Sequence, residues 1–341
     1  MKIFITGING FIGTHLTEGI LSSTDWEIDG FDISGSNMTP FMKNTKISFT
    51  PGDVFKDNEL IEDKVRETDV VIPLAGIAKP AYYLQKPVWT FELDFEQNLK
   101  IVRLCSKHHK RVIFPSTSEV YGMSGDDLLK EDESPLVTGP INKMRWIYSC
   151  SKQMMDRMIF AYGYEQGLDF SIFRPFNWVG PRLDTFKDAA DHKARAITQM
   201  IYDILYRGKI TLVDGGMQRR SFTWIGDGIE GLIKIVENKD GRAAGEIFNI
   251  GNPGNNYSIR EMAEMLIDEM KKMPVFQEKA ASAVLEDVSA DKYYGKTYDD
   301  IQNRLPSIDK MESSLGWKPK TDMCDILKKT LYWYAVQEKI N

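Results

Sequence analysis

Two short segments in the first half of the chain carry the groups needed to oxidise a sugar alcohol. One contains Thr117, Ser118 and Glu119 in succession, and the other places Tyr148 four residues before Lys152. Residues four apart share one face of a helix, so a phenol and an ammonium would lie side by side there. The ammonium favours the phenolate, and each unit by which the phenol pKa falls corresponds to ~1.36 kcal/mol. A phenolate next to a sugar hydroxyl could remove its proton as the carbon gives up a hydride.

The spacing of Tyr148 and its lysine is weak evidence by itself, because Tyr82 and Lys86 share it. That second pair is bracketed by Pro80 and Pro87, and a residue directly before proline is disfavoured inside a long helix. Tyr148 instead lies near the start of a long amphipathic pattern, after a strand-like run that delivers the hydroxyl segment. The combination favours a chemical role for Tyr148 over that of a half-buried aromatic residue.

A glycine-rich turn near the N-terminus predicts a dinucleotide site. Gly7, Gly10 and Gly13, with Phe11 and Ile12 among them, follow a strand-like run and open a helical pattern. Glycines at such a turn let the backbone approach a pyrophosphate seated at the helix N-terminus. The spacing is G-x-x-G-x-x-G rather than G-x-G-x-x-G, and a glycine triplet alone could be turn chemistry. The preceding strand and the following helix favour the cofactor site.

The second strand-like run ends at Asp32, at the distance expected for a carboxylate that binds an adenosine ribose. No Lys or Arg follows it until Lys43, so a 2′-phosphate would meet repulsion without compensation. This favours NAD over NADP.

Two further strand ends are expected to line the cofactor. Asp53 and Val54 follow the third strand-like run and are placed to meet the adenine, although Asp53 could equally cap the next helix. Leu74 and Ala75, before a glycine at the end of the fourth run, would let the backbone lie close to the cofactor.

Apolar runs alternate with helical patterns, which predicts a parallel sheet with helices on both faces. The strand-like runs are Lys2–Thr6, Trp26–Phe31, Ile47–Thr50, Asp69–Leu74, Arg111–Pro115 and Asp169–Phe173. The helical patterns are Gly13–Ser22, Asp57–Arg66, Thr90–His108 and Ile147–Glu165. Further along, Glu246–Ile250 is strand-like, and Ser258 and Glu261 have the spacing of a capping box that begins another helix. We therefore predict an α/β fold, a Rossmann-type doubly wound sheet formed by residues 1–176 plus 221–251. A smaller substrate-binding lobe, residues 177–220 plus 252–341, would cover the carboxyl ends of the strands.

Composition excludes several classes of function. The net charge of −6 argues against a nucleic-acid partner. The three cysteines form no disulfide framework, and the four histidines show no metal-ligand spacing, so no metal is expected. The chain opens directly into a strand-like run, without a signal-peptide pattern, and has no apolar run long enough for a bilayer. We expect a cytoplasmic protein without membrane contact.

Five longer strings make a resemblance specific. The chain resembles extended short-chain dehydrogenases/reductases that act on nucleotide sugars, and more narrowly the UDP-glucuronic acid oxidative decarboxylase domains of bacterial polymyxin-resistance proteins. Those proteins also carry a formyltransferase domain, for which this chain has no room, so formyl transfer is not implied. The strings are Phe114–Met123, Gly139–Arg157, Phe173–Leu183, Leu212–Phe222 and Tyr293–Ile308.

The residues themselves bear on the reaction that comes after oxidation. Related 4,6-dehydratases have Thr-Asp-Glu where this chain has Thr117, Ser118 and Glu119, and their Asp protonates the departing hydroxyl. Ser118 is a poor acid for that purpose, and a 4-epimerase would not require Glu119. Decarboxylation needs no acid, because a ketone at C4 places the C6 carboxylate β to a carbonyl. Tyr148 and Thr117 could then stabilise the enolate oxyanion.

The resemblance also implies site residues. It implies base-like work for Glu119 and acid-like work for Arg304, which we interpret as an electrostatic partner because guanidinium rarely gives up its proton. A surface salt bridge is the alternative for Arg304. Arg219 and Arg220 suit a pyrophosphate as bidentate donors. The positions that would bind a UDP-sugar are Ala78, Tyr83, Thr117, Ser118, Arg145, Asn177, Arg182, Val213, Gln218, Arg220 and Tyr298.

The expected activity is NAD-dependent oxidation and decarboxylation of UDP-glucuronate to a UDP-4-keto-pentose. A UDP-xylose synthase, which returns the hydride to C4, stays open, as does another nucleotide-sugar epimerase or dehydratase. A silent NAD-binding sensor is the alternative from another class, but such sensors typically lack the Tyr–Lys pair. The resemblance further implies a homodimer joined through the helical patterns 90–108 and 147–165, although their apolar stripes would equally suit packing on the sheet.

Overall fold

The computed structural model describes residues 1–293 and 300–340. The strands are β1 (Lys2–Thr6), β2 (Glu27–Asp32), β3 (Ile47–Pro51), β4 (Val70–Pro73), β5 (Arg111–Pro115), β6 (Phe170–Pro175), β7 (Trp178–Val179), β8 (Lys209–Val213), β9 (Arg219–Ser221), β10 (Thr223–Trp224), β11 (Glu246–Ile250), β12 (Asn256–Ser258) and β13 (Val284–Val288).

The α-helices are α1 (Phe11–Ser23), α2 (Asn58–Arg66), α3 (Pro80–Gln85), α4 (Pro87–Phe91), α5 (Asn98–Lys107), α6 (Trp146–Gln166), α7 (Phe186–Ala190), α8 (Ala196–Arg207), α9 (Ile225–Glu237), α10 (Ile259–Lys271), α11 (Pro274–Ala281), α12 (Ala290–Tyr293), α13 (Asp309–Leu315) and α14 (Met323–Gln337). A π-helix, Glu92–Gln97, joins α4 to α5. Short 3₁₀ helices lie at Ser36–Phe41, Ser118–Tyr121, Asp214–Gly216, Lys239–Gly241 and Pro253–Asn255.

A seven-stranded parallel sheet organises the molecule, with strand order β11-β6-β5-β4-β1-β2-β3. The chain runs outward from β1 to β3 and then returns to the other side of β1 as β4. The order reverses there, so the loops after β1 and β4 diverge and leave a crevice at the carboxyl ends of the strands. The Rossmann-type α/β fold is confirmed, and the crevice lies where a dinucleotide binds in such folds.

Alternation along the strands separates the apolar layers. Ile3 and Ile5 of β1 join one buried cluster, with α1 and α9, whereas Phe4 joins the opposite cluster with α2, α5 and α6. A third cluster, which includes Met200, Leu266 and other residues of 179–334, packs α7, α8, α10, α11 and α14 together. The first two clusters pack against β1 from opposite sides.

Several predicted elements are confirmed, and one is wrong in detail. Strands β1, β5 and β11 have the bounds that their apolar runs indicate, and Ser258 and Glu261 form the capping box that begins α10. The continuous helix predicted over 90–108 is instead interrupted by the π-helix. A π turn adds one residue to a helical turn without changing the apolar composition, so periodicity did not reveal it. Within the described residues, no helix combines the length and apolarity that crossing a membrane requires.

Candidate active site

The turn after β1, Gly7–Gly13, leaves no space for side chains at two of its glycines, and we call this turn and the backbone beside it the cradle. Gly7 adopts a φ of 72°, and a Cβ atom there would stand 2.5 Å from the backbone nitrogen of Ala75. A Cβ atom on Gly13 would lie 2.5 Å from the carbonyl oxygen of Ile8. Gly10 occupies the N-cap of α1 and offers no side-chain acceptor to the first N–H groups of that helix. Because these N–H groups, which begin at Phe11 and Ile12, have no side-chain acceptor, this end of α1 is suited to bind an anion such as a pyrophosphate.

Asp32 stands at the carboxyl end of β2, beside this cradle. Its Oδ2 accepts the backbone N–H of Asn9 at 3.0 Å, and its Oδ1 accepts that of Ser34 at 3.4 Å. Burial raises the pKa of Asp32 despite these bonds. Among the described residues no Lys or Arg forms an ion pair with it. The carboxylate therefore fits ribose hydroxyls and would repel a 2′-phosphate.

The other two predicted cofactor segments also line the sheet edge. Asp53 accepts the N–H of Phe55 at 3.0 Å and lies 3.3 Å from the Lys56 ammonium. Asp57 occupies the N-cap of α2, so the alternative in which Asp53 is that cap is wrong. Val54 is half-buried against the core.

The loop after β4 completes this edge. Leu74 donates its N–H to Thr6 at 2.9 Å, and the carbonyl of Ala75 accepts the side chain of Asn98 at 3.1 Å. These bonds hold the loop backbone close to Gly7, so the cradle is made of main-chain atoms from two loops.

The predicted hydroxyl and phenol meet at the end of β5. Thr117 caps the 3₁₀ helix that follows, and its Oγ1 accepts the N–H of Glu119 at 3.2 Å. The phenol of Tyr148, on the first turn of α6, is hydrogen-bonded to the side chains of Thr117 and Tyr83. The rings of Tyr83 and Tyr148 are stacked, with centroids 4.4 Å apart. Tyr83, predicted as a substrate residue, thus orients the phenol as well.

Lys152 lies one turn further along α6 and is buried. Its Nζ donates to the carbonyl of Pro115 at 3.1 Å and lies 3.3 Å from Oδ1 of Asp94. The predicted lowering of the Tyr148 pKa is wrong for this arrangement: burial, followed by the negative charge of Asp94, raises it. The sequence pattern could not reveal this, because Asp94 reaches the site from another helix.

A buried cluster of charged side chains borders Thr117, and we call it the arginine cluster. Glu119 is ion-paired with Arg145 through one oxygen and with Arg304 at 2.5 Å through the other. Asp300 pairs with Arg145 at 3.2 Å and with Arg220 at 2.7 Å. The three arginines are at most 8% exposed, so the surface salt bridge considered for Arg304 is wrong.

The cluster changes the acidity of its members. Burial raises the pKa of Glu119, but the guanidinium groups of Arg145 and Arg304 outweigh it and bring that pKa to about 2. Burial lowers the pKa of Arg304 to about 10, in spite of Glu119, and repulsion from Arg220 and Arg145 adds to the effect. Ser118 lies within 3.4 Å of the Arg304 guanidinium. Glu119 is therefore a weak base here, and Arg304 is a stronger acid than an ordinary arginine.

The remaining predicted substrate residues are spread around the crevice. Asn177, at a φ of 39°, donates its side chain to the carbonyl of Ser221 at 3.1 Å, directly before Phe222. Val213 is buried at the end of β8, and the Gln218 carbonyl accepts the N–H of Ile259 at 3.1 Å. These contacts hold the chain on both sides of Arg220.

Arg182, Arg219 and Ala78, which were predicted as substrate-binding residues, lie outside the arginine cluster. Arg182, at a φ of 64°, pairs with Glu18 of α1 at 3.6 Å. Arg219 pairs with Glu261 at 3.0 Å rather than turning inward beside Arg220. Ala78 is exposed on the loop after β4. Tyr298 lies outside the described residues, and its role stays a prediction.

The comparisons with known proteins identify the family. Residues 3–251 match the NAD dependent epimerase/dehydratase family. The chain belongs to that family. Its members use NAD, and the glycine cradle with Asp32 fits this cofactor.

Solved structures agree with the NAD-dependent epimerase/dehydratase fold. PbgP3 protein from Burkholderia pseudomallei is 44% identical, with 98% of this chain and 96% of that chain covered and a TM-score of 0.88. A UDP-glucuronic acid 4-epimerase from Bacillus cereus, solved with UDP-glucuronic acid and NAD, is 22% identical over 99% and 100% of the chains, with a TM-score of 0.82. DesIV, a dTDP-glucose 4,6-dehydratase from Streptomyces venezuelae solved with NAD and TYD, is 23% identical over 99% and 98%, with a TM-score of 0.83. The last two share the fold.

Sequence reasoning missed two acidic residues in this epimerase/dehydratase site. Asp300 bridges two arginines, and its only sequence signal was its place in the last matching string. Asp94 had no comparable signal, because nothing local in the sequence relates it to Lys152. No group of histidine, cysteine and carboxylate side chains suited to a metal occurs in the described parts of the chain.

Proposed function

We propose that this family member oxidises UDP-glucuronate at C4 with NAD and then releases the C6 carboxylate as carbon dioxide, leaving a UDP-4-keto-pentose. The observation that carries this proposal is the arginine cluster. The buried Nε–H group of Arg304 has no hydrogen-bond partner among the described residues, although the same guanidinium group pairs with Glu119. Guanidinium groups bind carboxylates through such donors, so a substrate carboxylate held next to Ser118 would satisfy this one.

The oxidation step uses the hydroxyl and phenol beside that cluster. Thr117 and Tyr148 would hold the C4 hydroxyl, and the phenolate of Tyr148 would take its proton. When bound, NAD accepts the hydride and brings a positive ring charge that favours the phenolate. Lys152 would hold the cofactor ribose near the phenol, since its ammonium lies one helical turn away. The raised pKa of Tyr148 makes the protonated phenol the resting form, so proton removal is pH-dependent.

The second step breaks the bond between C5 and C6. Its electron pair enters the C4 carbonyl as an enolate, whose oxygen the Thr117 hydroxyl and the newly protonated Tyr148 would stabilise. Arg304 is suited to support protonation of C5, because its pKa of about 10 makes it a better acid than a free guanidinium. Glu119 would mainly orient Arg145 and Arg304, since a carboxylate with a pKa of about 2 is a poor base.

Ser118 favours this reaction over a 4,6-dehydration, because it offers no carboxylic acid to a leaving hydroxyl. The 4-epimerase solved with UDP-glucuronic acid binds the proposed substrate, which supports the nucleotide-sugar class for this fold. A UDP-xylose synthase remains the second candidate, since it shares oxidation and decarboxylation and differs only in whether the ketone leaves before it is reduced.

One incubation tests the proposal. Purified protein is mixed with NAD and UDP-glucuronate, and NADH absorbance is followed together with the product mass. NADH in a one-to-one ratio with a ketopentose supports the proposal, whereas a pentose without net NADH supports the synthase. UDP-glucose is the matched control, because it differs only in carrying a hydroxymethyl group in place of the carboxylate. Equal turnover of both sugars, or loss of water instead of carbon dioxide, would contradict it.

The homodimer and the cytoplasmic location also stay proposals. Helix α6 presents Met154, Phe160 and Tyr164 to solvent, with Tyr164 87% exposed, and these residues would suit a second copy of the helix. Light scattering of the purified protein would measure the mass, and a monomer at all concentrations would exclude the dimer.

A further inference from the structure

The long helix that leads to β5 contains an irregular turn close to Lys152. Its π-helical stretch, Glu92–Gln97, separates α4 from α5. π turns inside α-helices occur frequently at functional sites, because the extra residue redirects a side chain. Here the redirected side chain is that of Asp94, which is fully buried.

Asp94 contacts two parts of the site at once. Its Oδ1 lies 3.3 Å from the Nζ of Lys152, and both carboxylate oxygens accept the backbone N–H of Ile77 at 3.4 Å. A Cβ atom on Gly76 would stand 2.6 Å from Oδ1 of Asp94, so the glycine leaves the space that the carboxylate occupies. Asn98, one turn later, donates to the carbonyl of Ala75 at 3.1 Å. The π-helix is thus attached to the cofactor loop after β4.

We propose that Asp94 is a positioning residue for Lys152. Its carboxylate holds the ammonium between the end of β5, where Pro115 accepts the other bond, and the loop after β4. The ammonium is then confined to the boundary between the proposed cofactor and substrate regions. Without the carboxylate, a long and flexible side chain would have one remaining fixed hydrogen bond, to the Pro115 carbonyl.

Asp94 has a second effect, which is electrostatic. The charged and titratable groups that act on Tyr148 are Asp94 from the π-helix, Glu119 from the 3₁₀ helix and Tyr83 from α3. Lys152 on α6 faces Asp94 and also Asp156, which is paired with Arg174 of β6. Tyr83 is further influenced by Arg145.

The removal of the Asp94 charge should therefore act in a defined direction. The negative charge of Asp94 raises the pKa of Tyr148, and it also neutralises the ammonium of Lys152. Asp94→Asn would remove the negative charge that raises the pKa of Tyr148. It would also leave the positive charge of Lys152 uncompensated, and both changes favour the phenolate. The acidic limb of the pH–rate profile would move to lower pH, while the rate on the plateau would fall about tenfold because a neutral amide holds the ammonium less firmly than a carboxylate does.

The kinetic test rests on the proposed function, so a second measurement is independent of it. Fluorotyrosine is incorporated, the ¹⁹F resonance of Tyr148 is assigned by its loss in Tyr148→Phe, and its titration is compared in the wild type and in Asp94→Asn. Glu96→Gln, which removes a charge from an exposed position of the same π-helix, is the matched control. We expect a lower midpoint only in Asp94→Asn.

The outcomes separate the two proposals. A wild type that does not turn over UDP-glucuronate, together with a lower ¹⁹F midpoint in Asp94→Asn, would remove the proposed function and leave the role of Asp94 intact. An unchanged midpoint in a folded Asp94→Asn would overturn that role. If Asp94→Asn does not fold, Gly76→Ala displaces the carboxylate by contact while its charge is kept. Wild-type plateau rate and midpoint in that variant would equally overturn the role.

Discussion

The cofactor cradle and the arginine cluster are built in opposite ways. The cradle consists of main-chain atoms from two loops, the turn Gly7–Gly13 and the loop after β4. The arginine cluster consists of side chains from residues 119, 145, 220, 300 and 304, which meet only because the chain folds back on itself. The cradle fits a cofactor common to the whole family, whereas the cluster is proposed to bind one substrate. A site made of backbone tolerates little variation, while a site of distant side chains can change its chemistry one residue at a time.

The largest effect is expected from removal of the Tyr148 phenol, which lies between the cradle and the arginine cluster. Tyr148→Phe should reduce oxidation of the substrate at least ~1000-fold, because general base catalysis and orientation of the hydroxyl are both lost. NADH formation in a stopped-flow instrument measures the effect. Tyr82→Phe is the matched control, since Tyr82 has the same spacing to a lysine but lies in α3. Substantial oxidation by Tyr148→Phe would refute its role.

The arginine cluster is tested by Glu119→Gln. We expect kcat to fall roughly 100-fold, because a neutral amide cannot hold two guanidinium groups as an ionised carboxylate does. The affinity for NAD, measured by calorimetry, should change little, since the cradle is separate from the cluster. Glu133→Gln alters a charge on an exposed surface pair and is the control. An unchanged kcat in Glu119→Gln would remove Glu119 from the mechanism.

The cradle is tested by its choice of cofactor. Asp32→Asn should reduce the preference for NAD over NADP about tenfold, because the repulsion of the 2′-phosphate is relieved and part of the ribose contact is lost. Fluorescence titration with both dinucleotides measures the ratio. The rate at saturating NAD should stay within a few-fold of the wild type. A variant that keeps the full preference would show that Asp32 does not face the ribose.

The dependence of stability on pH tests the ion-paired state of Glu119. The pKa of Glu119 in the folded protein is about 2, below its value in an unfolded chain, so its stabilising contribution is complete above about pH 4.5. It is lost as the pH falls through the folded pKa, because the unfolded chain then binds the proton first. Glu119→Gln should flatten the decline of the free energy of unfolding between about pH 4.5 and 2, by on the order of 3 kcal/mol. Urea unfolding at several pH values measures this slope, and equal slopes in both proteins would contradict the ion-paired state.

Local patterns in the sequence were sufficient for the sheet and the cradle. Strands β1 and β5 follow from apolar runs, α10 from its capping box, and the cofactor turn from glycines between a strand and a helix. Each of these depends on neighbours in the chain and on backbone sterics, which a few consecutive residues specify. The Tyr148–Lys152 spacing likewise needs only the helical repeat.

Only the tertiary structure decided how the charged groups act. It places Arg304 in a buried pair with Glu119 and brings Asp94 to Lys152. It also buries the phenol of Tyr148, and this burial, followed by the negative charge of Asp94, raises the pKa of Tyr148 instead of lowering it. Burial and Coulomb interactions depend on distances across space, and residues 94 and 152 or 119 and 304 have no local pattern that relates them. The sequence by itself determined which groups are available and on which elements they lie. Which of them are paired, and with what acidity, was determined by the packing of those elements.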